Sequence, residues 1–137
     1  MSLITVKELL EAQLEQVVAG MSEPLPIAWP NVEFVPPTDA YYVESHLMPA
    51  TTSAPDIQQQ MEQLRGVYQI TLCGPQGDGE QRILELAEEI KRGFPATMIL
   101  RGAGGFTVVA NGPCTVWGAT ESVQGYVCPI SFEYEGH

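Results

Sequence analysis

The sequence predicts an α+β fold: a mainly antiparallel β-sheet with two helices packed on one face, in the order α-β-β-α-β-β-β. Three observations predict it. Apolar residues recur at helical spacing in two windows only, near residues 5–20 and 80–94. Elsewhere, apolar and polar residues alternate with a period of two. Glycine and proline clusters punctuate the alternating runs at the intervals that hairpins and strand ends require. At 137 residues, the chain is expected to form a single domain over 1–137.

The first element is a helix. Thr5 with Glu8 three residues on has a capping-box pattern. Val6, Leu10, Leu14 and Val17 form its apolar stripe, widened by Leu9 and Val18, and Gly20 stops it. A proline-punctuated stretch follows, with Pro24, Pro26, Pro30, Pro36 and Pro37. Ile27, Trp29, Val32, Phe34 and Val35 make it too apolar for a solvated linker. It reads as an extended segment pinned to the body, with room for a short edge strand. Ala40 to Met48 is the first full strand. Tyr41, Val43 and Leu47 fall on one face, and Tyr42, Glu44, His46 and Met48 on the other.

Residues 49–64 form a long connection, small and polar at first and glutamine-rich later. A loop of that length in a compact domain is usually functional. Arg65 to Leu72 is the next strand, antiparallel to the last, with Tyr68, Ile70 and Leu72 on one face. The turn Gly74-Pro75-Gln76-Gly77-Asp78-Gly79 leads into a helix from Glu80 to Gly93, buried through Ile83, Ala87, Ile90 and Phe94 and ended by Pro95. The remainder is β: Thr97 to Arg101, Phe106 to Ala110, a short piece at Thr115 to Trp117, and a long alternating strand from Gly125 to Glu135.

Charge and composition exclude several functions. Seventeen acids against six bases give a formal charge of −11, whose summed field repels phosphate and disfavours a nucleic-acid or polybasic membrane grip. No apolar run reaches the roughly 20 residues of a bilayer span, and the N-terminal residues do not have the pattern of a signal peptide. Cys73, Cys114 and Cys128 are odd in number and widely spaced, with no Cys-x-x-Cys, so they read as small buried hydrophobes of a reducing compartment.

No catalytic set stands out, and no cofactor or metal is expected. The glycine turn has the strand–loop–helix order of phosphate cradles, but it lacks a lysine and carries Asp78 and Glu80. Asp78 with Gln81 reads as a helix cap. Asp39, Glu44 and His46 could in principle serve a small metal-dependent hydrolase, but only one other histidine exists, His137 at the last position. There is no Gly-x-Ser-x-Gly elbow. Trp29 and Trp117 read as core or interface anchors.

Several strings occur in a telling order. Arg65-Gly66-Val67-Tyr68-Gln69-Ile70-Thr71-Leu72 precedes Gly74-Pro75-Gln76-Gly77-Asp78-Gly79, then helical Ala87-Glu88-Glu89-Ile90 and Phe94-Pro95. Upstream lie Ile27-Ala28-Trp29-Pro30-Asn31-Val32 and Tyr41-Tyr42-Val43, and Gly125-Tyr126-Val127-Cys128-Pro129-Ile130 closes the chain. In these features the chain resembles the tail terminator, or tail-completion, proteins of long-tailed bacteriophages. The resemblance implies a structural protein, not an enzyme. It implies a ring, typically a hexamer, at the head-proximal end of the virion tail, made in the host cytoplasm. Such a ring caps the tail tube, stops its polymerisation and meets the head–tail connector or stopper, and DNA passes through it without specific binding. The outward strand face and the long loop then supply the candidate subunit or tube contacts: Tyr42, Glu44, His46, Met48, Asp56 and Arg65. A peptide-binding module that adds a strand to an exposed sheet edge is the remaining alternative.

Overall fold

The computed structural model describes residues 3–50, 63–123 and 125–137. Helix α1 spans Leu3–Ala19 and buries Val6, Leu10, Leu14 and Val18, four residues apart along one stripe. It begins before Thr5, so that residue lies inside the first turn and the capping box predicted there does not mark the start. Gly20 follows, its N–H donating to the Gln16 and Val17 carbonyls.

The proline-rich segment supplies a two-residue edge strand, β1 (Ile27–Ala28), parallel to β2 (Tyr42–Pro49). Strand β2 pairs antiparallel with β3 (Leu64–Gly74), from Tyr42 opposite Cys73 to Pro49 opposite Gly66. Helix α2 (Gln81–Gly93) buries Ile83, Leu86, Ala87 and Ile90, with Lys91 and Arg92 in the last turn where the helix dipole favours cations. Glu80 occupies its N-cap without a side-chain bond. Asp78 instead accepts the Tyr41 hydroxyl, tying the entry of β2 to the glycine turn, while Gln81 donates to Glu85. Asp78 and Gln81 are therefore not the predicted cap.

The last strands are β4 (Ile99–Arg101), β5 (Thr107–Ala110), β6 (Thr115–Val116), β7 (Thr120–Ser122) and β8 (Gly125–Gly136). Among the described residues all eight strands join one sheet in the order β1-β2-β3-β8-β5-β4, with β6 and β7 pairing farther along β8. Every pairing except β1–β2 is antiparallel.

Both helices pack on one face. Their stripes join Val43, Tyr68, Ile70, Leu72, Cys128, Ile130, Phe132 and Tyr134 in a single apolar cluster. Each fully buried aliphatic or aromatic side chain there is worth about 1.5–3 kcal/mol of transfer free energy. The buried Ser45 hydroxyl on this face is satisfied by the Tyr68 hydroxyl at 2.7 Å. Outside the core, Arg82 bridges Glu23 at 2.8 Å and Ser22 bonds Glu89, fastening the segment after α1 to α2.

Candidate assembly surface

The other face of the sheet carries the polar half of each alternating strand. In register, Tyr42, Glu44, His46 and Met48 of β2 lie beside Cys73, Thr71, Gln69 and Val67 of β3. Those in turn lie beside Val127, Pro129, Ser131 and Glu133 of β8. At the Tyr42 end the proline-rich segment covers this face. Phe34 stacks on Tyr42 with ring centroids 5.2 Å apart, and Phe34 and Ala28 close a small second core of Tyr42, Cys73 and Val127. Tyr42 is only 3% exposed. The expectation that it faces outward with its strand neighbours is corrected: the strand alternates as predicted, but the preceding proline-rich segment folds back and roofs that end.

Beyond that end, among the described residues, His46 and Glu133 on this face are exposed while Thr71 and Ser131 are buried. The His46 Nε2 lies 3.5 Å from Glu44 Oε1, and Met48 is 43% exposed. Arg65 is exposed and sits opposite Glu135 on β8, yet among the described residues no carboxylate lies within 4 Å of it. Asp56 and most of the 49–64 loop lie outside the described residues.

Trp117 adds what sequence left undecided between core and interface. It is 65% exposed, yet its ring is fixed: Nε1–H donates to Ser131 Oγ at 2.8 Å and its backbone N–H donates to the Pro129 carbonyl at 2.9 Å. An exposed aromatic already oriented by such a bond has less freedom to lose on contact, a property that suits an interface anchor. Trp29, by contrast, packs half-buried against the main core.

All three cysteines are free and buried. Burial pushes the Cys73 thiol up to about 12 and Cys114 up to about 11, far from the thiolate form at neutral pH. Among the described residues, no three histidine, cysteine, aspartate or glutamate side chains converge on a point that could hold a metal. No described helix is long and apolar enough to cross a membrane.

A family model described as phage tail terminator protein matches residues 5–134. The chain belongs to the phage tail terminator family. The match runs from the first turn of α1 almost to the end of β8, so it takes in both helices and the whole sheet. A solved structure superimposes on this terminator with a TM-score of 0.81 and 29% sequence identity, covering 100% of this chain and 96% of that one. A search of curated protein sequences finds no match. Family membership gives this terminator a structural role in phage tail assembly, a place in the virion tail and tail-associated assembly partners.

Proposed function

We propose that this protein forms a closed ring, a hexamer, that caps the tail tube, ends its polymerisation and joins it to the head connector or stopper. Residues 1–137 act as one unit in that ring. The observation that carries the reading is the sheet face opposite the helices, with Trp117 exposed and hydrogen-bonded to Ser131 on it and Met48 half-exposed on the same face. Glu44, His46 and Arg65 border these anchors and belong to the contact surface, and Tyr42 supports it from beneath. Asp56 is assigned to the same contact surface. A charge of −11 per copy gives the ring an acidic character that lets DNA pass without adhering.

Electron microscopy of particles from a phage deleted for this protein tests the role. Overlong or headless tails are expected, and tails of normal length joined to filled heads contradict it.

A further inference from the structure

Building on the ring reading above, we propose that neighbouring copies join edge to edge. The β4 edge of one copy adds to the β2 edge of the next as a parallel strand, so that one sheet continues from subunit to subunit.

Among the described residues the β4 edge and the β2 edge beyond β1 are unpaired. Among the described residues β4 pairs only with β5. The Ala110 N–H donates to the Met98 carbonyl and the Gly102 N–H to the Phe106 carbonyl, so Met98, Leu100 and Gly102 turn their backbone groups inward. Strand alternation then points the N–H and C=O of Ile99 and Arg101 outward. At the other edge, the Val43 N–H donates to the Pro26 carbonyl, so Val43, Ser45 and Leu47 face away from β3. Strand β1 ends opposite Glu44, and Leu47 has no strand neighbour on that side among the described residues. An open notch of about 540 Å³ lies there, bounded by Lys7 and Glu11 of α1, by Pro30, and by His46, Leu47 and Met48.

The face on which each side chain lies decides how two such edges can meet. Leu47 lies on the helix side of the sheet, as does Leu100, which packs against the core. Ile99 and Arg101 therefore lie on the open face. In an antiparallel pair, the residues that exchange bonds sit directly opposite and share a face. Matching Leu47 to Ile99 or Arg101 would put the helices of successive copies on opposite sides of the sheet. In a parallel pair, the residue opposite Leu47 is one whose own groups point inward, which is Leu100. Its helix-side position agrees with that of Leu47.

The direction agrees as well. From β2 through β3, β8 and β5 to β4 there are four antiparallel steps, so β2 and β4 run the same way. A rotation about an axis along the strands carries β4 onto the β2 edge of the next copy in parallel, the heterologous contact that closes rings. Strand β2 already accepts β1 in this manner.

With Leu47 opposite Leu100, the Leu47 N–H donates to the Ile99 carbonyl and the Arg101 N–H donates to the Leu47 carbonyl. Ile99, 53% exposed, comes beside His46, next to the exposed Met48. Arg101, with no carboxylate within 4 Å among the described residues, comes beside Met48, on the face that also carries Glu44.

Arg101→Pro removes the outward N–H without touching the chain's own ladder. The expected result is at least a tenfold rise in the concentration needed for half-assembly, with an unchanged far-UV spectrum, while Arg101→Lys retains the wild-type mass. A second variant, His46→Cys with Ile99→Cys, places the two thiols across a parallel strand spacing of about 4.8 Å, within disulfide reach. Mild oxidation should give a covalent ladder ending at the ring, and a Val123→Cys/Ile99→Cys control should not. This pair decides the matter even if Arg101→Pro fails to fold. A folded Arg101→Pro protein that assembles like wild type, or intact rings that never cross-link, overturns edge pairing and leaves the ring standing. Wild-type protein that stays monomeric with tail tube protein overturns both.

Discussion

Gly66→Ala is the substitution whose cost the structure fixes most tightly. Gly66 faces Pro49 across β2 and Tyr134 across β8. A Cβ at this position would stand 2.4 Å from the Met48 carbonyl oxygen, 2.8 Å from the Pro49 Cα and 2.8 Å from the Tyr134 hydroxyl. Two of those three atoms are backbone, so no rotamer change relieves the contact, and β2 must move off β3 by a large part of an ångström. Among the described residues the buried Tyr134 hydroxyl has no hydrogen-bond partner, so the crowding adds to a site already short of compensation. Overpacking of this kind costs about 1–3 kcal/mol. The rigid neighbours place this case at the upper end, about 2–3 kcal/mol. For a chain of this length that is a fall in Tm of roughly 6–12 °C. Gly20→Ala is the internal control. Its Cβ meets nothing nearer than 3.5 Å, and the loss of unfolded-state freedom should stabilise by about 0.5 kcal/mol. Urea and thermal unfolding of the two variants read opposite signs for one chemical change. A Gly66→Ala protein within 0.5 kcal/mol of wild type would refute the close approach of β2, β3 and Tyr134.

Three further outcomes are expected. Trp117→Ala should change monomer unfolding by less than about 1 kcal/mol, since the ring is mostly in solvent, yet weaken assembly by about 2 kcal/mol, roughly thirtyfold, in sedimentation equilibrium; equal effects on both would place Trp117 in the core. Phe34→Ala should cost about 2 kcal/mol and expose Cys73 to maleimide, read by intact-mass spectrometry, whereas an unlabelled thiol in the folded variant would mean that the roof lies elsewhere. Stability should decline above about pH 9. Unfolded thiols lose their protons near their ordinary value of 9.0, while burial holds folded Cys73 and Cys114 protonated up to about 12 and about 11. The folded state therefore binds more protons in that window, and its advantage shrinks as pH rises; a urea midpoint that stays flat from pH 8 to 10.5 would contradict this.

The parts of the fold visible in the sequence are those with local causes. Leu10, Leu14, Ile83 and Ile90 announce buried helix stripes because helical spacing alone selects a face. Ile130, Phe132 and Tyr134 do the same for β8 with a period of two. What escaped depends on contacts between segments that a single run of residues does not show. Tyr42 alternates like an outward residue, and only the return of Phe34 over the sheet buries it. Asp78 has the position of a helix cap, but the Tyr41 hydroxyl claims its carboxylate. Strand β7 is short and polar, and it is a strand only because β8 runs alongside it. For the proposed assembly surface, the alternation that puts Glu44, His46 and Met48 on one strand face was legible. The rigidity of Trp117 was not, because it rests on Ser131, fourteen residues away. Nor was the open edge at Leu47, which exists because β1 stops at Ala28.

The mass of the purified full chain in solution, measured by light scattering over a concentration series with and without tail tube protein, tests the self-association claim most directly. The account predicts a discrete closed species of six copies, whose mass no longer rises with concentration and which survives tube addition. A single-copy mass at every concentration, unchanged by the tube protein, would contradict it.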